Sequence, residues 1–60
     1  MKEKFKVAVI QEITDKKGCS LSESIEIVHS NTNLFNTCYH DDLSPKETAF
    51  LIIEKLNSKK

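Results

Sequence analysis

The chain has 60 residues, 38% hydrophobic and 30% charged, and its nine lysines balance nine carboxylates, with no arginine and zero formal net charge. A chain of this length makes one small domain, whose core rarely contributes more than about 3–5 kcal/mol, so association with a copy or a partner would add stability. The missing net positive charge and arginine argue against tight phosphate recognition, and no stretch approaches the roughly 20 apolar residues that cross a bilayer.

The amino-terminal segment from Met1 to Lys6 is charged, and the apolar run after it is too short for the hydrophobic region of a signal peptide. We expect a cytoplasmic location and no membrane association. In that compartment Cys19 and Cys38 normally stay reduced.

The first predicted helix spans residues 3–17, because Phe5, Val9 and Ile13 repeat every four residues. Gly18, the only glycine, suits the left-handed position that follows a helix. A competing interpretation is a short strand over residues 4–10, where apolar and polar side chains partly alternate. The helix accounts for more residues and has a proper stop, so we favour it.

The second predicted helix spans residues 21–30. Ser20 and Glu23 have the spacing of a capping box, in which each residue satisfies a free backbone N–H group of the other. Leu21, Ile25 and Val28 predict its buried face. Ile27 points elsewhere, which indicates either burial on a second side or an exposed contact.

The third predicted helix is short and spans residues 33–39, after a turn at residues 31–33. Leu34, Phe35 and Cys38 recur at helical spacing, with Tyr39 beside them. The polar segment from His40 to Asp42 ends it.

The fourth predicted helix spans residues 45–57 and follows a second capping box, Ser44 with Glu47, in which Pro45 occupies the first helical position. Its apolar stripe is the most regular in the chain, and two further residues broaden it: Ala49, Ile52, Ile53 and Leu56, then Phe50 and Leu51. The four helices predict an all-α fold, a compact bundle of three main helices plus one short helix, forming a single domain over residues 1–60.

Two cysteines and two histidines raise the question of a zinc site: Cys19, His29, Cys38 and His40. Structural zinc sites have paired, closely spaced ligands, and only Cys38 and His40 are close here. A disulfide between Cys19 and Cys38 is open in principle but disfavoured in the cytoplasm. We expect no metal and no cofactor, with Cys38 buried, Cys19 exposed and both imidazoles at the surface.

Catalysis also has little support. Cys38, His40, Asp41 and Asp42 resemble a nucleophile with a base, but a catalytic group also needs an orienting partner and an oxyanion site. A two-turn helix in so short a chain offers little concavity for a pocket of about 300–1,000 Å³. We predict that the protein is not an enzyme.

Residues 21–39 have roughly the element lengths of a helix-turn-helix, which makes a DNA-binding regulator the alternative function. In that arrangement Thr32, Asn33, Asn36 and Thr37 would face the major groove. The neutral charge, the absence of arginine and a turn without glycine weigh against nucleic acid as the partner.

The favoured function is a protein-interaction module that binds another protein or itself, with a homodimer as one form. It rests on apolar side chains in excess of the main stripes, and the possible interface residues are Ile27, Phe35, Tyr39 and Leu51. A competing interpretation places all of these in the core, and it is the favoured one for Phe35 and for Phe50.

Four features carry a resemblance: the break at Lys17-Gly18, the second-helix segment from Ser20 to Val28, the Leu34-Phe35 pair, and the Ser44-Pro45 helix start. On these features the stretch from Ile10 to Leu56 resembles short uncharacterised helical proteins of low-GC bacteria and their mobile elements. The resemblance implies a helical fold and no activity.

Overall fold

The computed structural model describes residues 2–58 and contains four helices: α1 (Lys2–Lys17), α2 (Leu21–Ser30), α3 (Thr32–His40) and α4 (Pro45–Ser58). Every boundary lies within one residue of the prediction, and the all-α bundle is confirmed. Residues 4–10 are helical, so the strand alternative is wrong. The radius of gyration of 10.3 Å matches the roughly 10 Å expected of a compact chain of this length.

The first helix lies at the centre of the packing, since it contacts both α4 and α2 extensively, while α3 closes the bundle against the same two helices. The buried apolar residues come from all four helices: Val9, Ile10, Ile13, Val28, Phe35, Cys38, Ala49 and Ile52. Three of these eight belong to α1, which makes it the element whose loss would empty the core.

Both predicted capping boxes form in their serine half, and in the described residues neither glutamate side chain accepts the reciprocal hydrogen bond from the serine N–H. Ser20 Oγ accepts a hydrogen bond from the Glu23 N–H at 3.2 Å, and Ser44 Oγ accepts one from the Glu47 N–H at 3.2 Å. Each bond satisfies one of the free N–H groups of a helix amino terminus.

Helix α1 ends at Gly18, as predicted. Gly18 has a φ angle of 66°, and its N–H donates to the Thr14 carbonyl at 2.9 Å. This hydrogen bond is that of the αL helix stop, in which a left-handed residue satisfies a carbonyl of the last turn.

Helix α3 ends in a Schellman motif that has aspartate where glycine is usual. Asp42 has a φ angle of 61° and donates its N–H to the Tyr39 carbonyl at 3.2 Å. The Leu43 N–H donates to the Cys38 carbonyl at 3.0 Å, which completes the pair of hydrogen bonds that define the motif.

One residue, Asn31, joins α2 to α3. Its Nδ2 donates to the Ile27 carbonyl at 2.8 Å and its N–H to the Val28 carbonyl at 3.1 Å, while its own carbonyl accepts from the Phe35 N–H at 2.8 Å. The predicted turn at residues 31–33 is therefore shorter than expected, because Asn31 closes one helix and opens the next.

The buried face of α2 differs from the predicted face. Ser24 and Val28 are buried and Ile27 packs against the core, whereas Leu21 and Ile25 are exposed. The burial of Ser24 has a polar cause, because its hydroxyl is hydrogen-bonded to neighbouring groups.

A chain of hydrogen bonds crosses the contact between α1 and α2. Ser24 Oγ lies 2.7 Å from Thr14 Oγ1 and 3.3 Å from Cys19 Sγ. It is also within donating distance of the Ser20 carbonyl, at 3.2 Å. Thr14 Oγ1 donates to the Ile10 carbonyl at 2.9 Å. Because its hydroxyl is hydrogen-bonded, Ser24 is buried without the cost of an unpaired polar group. Cys19 is half-buried by the same contacts, so the prediction that it is exposed is wrong.

Helix α4 buries Thr48, Ala49 and Ile52, and the Thr48 hydroxyl donates to the Ser44 carbonyl at 3.0 Å. Phe50 is exposed, so the expectation that it belongs to the core is wrong. Phe50 lies two residues before Ile52, and at about 100° per residue this places its side chain on the side of the helix opposite Ile52.

Candidate interaction surface

Five large apolar side chains are exposed in the described part of the chain: Val7 (59%), Phe50 (53%), Leu21 (52%), Ile25 (39%) and Leu51 (37%). Single exposed apolar residues are normal on protein surfaces, so their position and surroundings decide whether they matter. Leu21 and Ile25 lie together on α2, and Phe50 and Leu51 are adjacent on α4.

The side of α4 that faces away from the core has one aromatic ring among charges. Phe50 lies at its middle, Lys46 lies four residues before it and Glu54 four residues after it, and all three are exposed. We define the α4 outer face as the exposed residues within about 60° of Phe50 around the helix: Lys46, Glu47, Phe50, Glu54 and Asn57.

A shallow groove of about 620 Å³ borders this face. Its lining residues come from α3 and α4: Leu34, Leu51, Glu54, Lys55, Asn57 and Ser58. Glu54 and Asn57 belong to both the groove and the α4 outer face, so the two surfaces are continuous.

Of the four predicted interface residues, only Leu51 is exposed. Phe35 is 4% exposed and belongs to the core, as its competing interpretation states. Ile27 is half-buried against the core, which is the first of its two alternatives, burial on a second side of α2. Tyr39 is half-buried, and its ring packs edge-on against the Phe5 ring at 5.3 Å.

Tyr39 and Phe35 are held by an aromatic cluster that joins α3 to the start of α1. The Phe5 ring lies 5.4 Å from that of Phe35, and Lys2 Nζ lies 5.7 Å from the centre of the Tyr39 ring. Such contacts stabilise by about 0.5–1.5 kcal/mol per aromatic pair. These contacts within the chain account for the two aromatic side chains that the sequence singles out.

Sequence reasoning missed three exposed residues, Val7, Leu21 and Ile25. For Leu21 and Ile25 the only signal is their four-residue spacing, which also marks a buried helix face. Periodicity alone cannot distinguish the two, because the choice depends on which side of α2 meets α1.

A second concavity, of about 380 Å³, lies where the start of α1 meets the end of α2 and the first half of α3. Its floor is apolar and its rim polar: Val28 and Phe35 below, with Lys2, Glu3, Lys6, His29, Thr32 and Asn36 around them. Lysines and a carboxylate share the rim, so it favours neither an anion nor a cation.

The side chains considered for zinc do not meet. Residues 2–58 contain no group of three or more histidine, cysteine or acidic side chains placed to hold a metal ion. Cys19 and Cys38 are both free, and Cys38 is buried while His40 is exposed.

The segment proposed as a helix-turn-helix has a one-residue joint, Asn31, where that motif has a turn of about 3–4 residues. Thr32 and Thr37 are exposed, but their hydroxyls donate to the backbone carbonyls of His29 and Asn33. Residues 18–45 contain four carboxylates and no lysine.

No known protein family, curated protein or solved structure matches the chain. Across residues 2–58, every helix is too short or too polar to cross a membrane.

Proposed function

We propose that this protein is a small non-enzymatic interaction module of the cytoplasm that binds another protein or a second copy of itself. The observation that carries the proposal is the exposure of a pair of large apolar side chains on each of two helices, Leu21 and Ile25 on α2 and Phe50 and Leu51 on α4, with the half-exposed Phe50 ring foremost. Aromatic side chains are enriched at the centres of protein interfaces, and exposing one to water has no benefit for folding. The free thiols of Cys19 and Cys38 fit a reducing compartment.

The alternative, a helix-turn-helix-like DNA-binding regulator using residues 21–39, has less support. The segment contains two carboxylates, Glu23 and Glu26, and no lysine, and DNA affinity depends on neutralising phosphates with cations. The lysines of the chain lie on α1 and α4 and at the chain ends, outside the proposed recognition helix.

Site-specific photo-crosslinking tests the proposal. A benzoylphenylalanine replaces Phe50 in one variant and Leu21 in another, and a matched control carries it at Gln11, an exposed polar position of α1. On irradiation of cells that make the protein, we expect a discrete protein adduct at position 50 or 21 and none above background at position 11.

Adducts that are equally weak at all three positions would contradict the proposal. Retention of the wild-type chain on a random DNA duplex at low salt, lost as the salt concentration rises, would favour the alternative. The mass of an adduct also identifies its origin, since a second copy adds 6.9 kDa.

A further inference from the structure

We infer that the α4 outer face binds the same face of a second copy, with the two α4 helices antiparallel and a two-fold axis passing beside Phe50. This inference rests on the proposed function and names the partner as a second copy of this chain. It follows from the arrangement of charges around the exposed ring.

The positions of Lys46 and Glu54 are symmetric about Phe50. Each lies four residues from it, which is about 6 Å along the helix axis, in opposite directions and on the same side of the helix. A two-fold axis at Phe50 therefore places Lys46 of one copy opposite Glu54 of the other, and Glu54 opposite Lys46. The two Phe50 rings meet at the axis.

This pattern is self-complementary, which is what a two-fold interface requires, because the same patch must serve both copies. A parallel arrangement would place Lys46 against Lys46 and Glu54 against Glu54, so like charges would oppose it. The charges select the antiparallel pairing, and the apolar ring supplies the area that leaves water.

The rest of the fold is compatible with this pairing. The α4 outer face lies opposite Ala49 and Ile52, which are fully buried in the core, so a second copy can bind without any rearrangement. Lys46 also lies in the first turn of α4, where the helix dipole disfavours a positive charge. The helix itself therefore does not explain a lysine at this position, whereas a carboxylate across the two-fold axis does.

The size of the face sets the strength of the association. A helix of 14 residues is about 21 Å long, and one face of it is smaller than the roughly 800 Å² per partner of a standard interface. We expect a weak dimer, which a concentration series from about 10 μM to 1 mM would detect.

Sedimentation velocity over that series tests the inference with charge reversals. We expect the wild-type chain to dimerise, and Lys46→Glu and Glu54→Lys each to weaken dimerisation at least about tenfold at low salt, because each leaves two pairs of like charges facing across the axis. The double variant Lys46→Glu/Glu54→Lys restores the dimer. A mixture of the two single variants also associates, since every facing pair is then of opposite sign.

Phe50→Ala removes the central contact and is expected to leave a monomer. The matched control is Val7→Ala, which truncates an equally exposed apolar side chain on α1 and leaves the dimer unchanged. Circular dichroism checks that each variant is folded, and reversing Lys46 removes an unfavourable interaction with the helix dipole, so it does not threaten α4.

A wild-type chain that stays monomeric at 1 mM overturns the inference, and so does a dimer that ignores both reversals. If the chain is monomeric while benzoylphenylalanine at position 50 captures a different protein, the interaction module stands and the self-pairing fails. If positions 50 and 21 both capture nothing and the chain is monomeric, both proposals fail.

Discussion

Gly18 and Asp42 adopt nearly the same left-handed backbone conformation, with φ angles of 66° and 61°, and each ends a helix. Glycine adopts this conformation without steric cost, whereas an L-residue with a side chain loses about 1–2 kcal/mol. A side chain added at Gly18 would meet nothing within 4 Å, so any cost there is conformational. Asp42 carries that cost in the wild-type chain.

The two positions should therefore respond in opposite directions. We expect Gly18→Ala to lower the free energy of unfolding by about 1–2 kcal/mol, and Asp42→Gly to raise it by about 0.5–1 kcal/mol. Urea denaturation followed by circular dichroism measures both changes. Asp41→Gly is the control, because Asp41 has a φ angle of −84° and its backbone conformation is not made easier by glycine. A loss of stability in Asp42→Gly would show that the Asp42 side chain stabilises the fold by more than its left-handed conformation costs.

At the scale of the element, α2 is a short helix with a side-chain cap at each end. It has ten residues, fewer than an isolated helix needs to be stable in water, and its amino terminus is capped by the Ser20 hydroxyl. Its carboxyl terminus is closed by Asn31, which is itself buried. At each end of α2, one side chain therefore hydrogen-bonds to a backbone group: Ser20 to the Glu23 N–H and Asn31 to the Ile27 carbonyl.

Replacing the cap should be costly for so short a helix. We expect Ser20→Ala to reduce the free energy of unfolding by about 1 kcal/mol, because the Glu23 N–H loses its acceptor. Ser22→Ala, two residues further on at an exposed helical position, should change it by no more than about 0.5 kcal/mol. Thermal melts of the two variants provide the comparison, and equal melting temperatures would mean that solvent replaces the hydroxyl fully.

The elements differ in how well their sequences predict them. Helix α4 is recognisable because its apolar residues recur with one clear period, and α1 because Phe5, Val9 and Ile13 repeat every four residues before the stop at Gly18. The inward face of α2 is not, because burying Ser24 depends on the Thr14 hydroxyl of another helix, which no pattern within α2 records. The stripe of Leu21, Ile25 and Val28 is equally periodic, but two of its three members lie outside the core.

At the scale of the whole molecule, the small core leaves little reserve. Ile13 of α1 is fully buried among the other core residues, and α1 is the helix that contacts both α2 and α4 extensively.

The residues of an interface are harder to predict from the sequence than the residues of the core. The excess of apolar residues on α4 is visible in the sequence, but which of them face water depends on where α1 and α3 lie.

We expect Ile13→Ala to cost about 2–5 kcal/mol, which is comparable to the whole stability that a chain of this size commands, so the variant should be largely unfolded at 25 °C. Val7→Ala, on the opposite side of the same helix, should remain folded with a change below about 0.5 kcal/mol. Far-UV circular dichroism and the dispersion of amide NMR signals distinguish the two outcomes. A folded, cooperative Ile13→Ala variant would mean that the core is larger than the described residues suggest.

The hydroxyl chain between α1 and α2 has a direction. Each hydroxyl has one proton. When that of Thr14 goes to the Ile10 carbonyl, that of Ser24 goes either to Thr14 Oγ1 or to the Ser20 carbonyl, since a carbonyl can only accept. In both arrangements Ser24 Oγ has used its proton and accepts from its remaining neighbour, the Cys19 thiol, which is the donor. An apolar seam can slide by a helical turn at modest cost, whereas this ordered series of donors and acceptors matches at one alignment of the two helices. Serine and threonine at this contact thus specify how α1 and α2 align along their axes, whereas leucine would stabilise the contact without fixing that alignment.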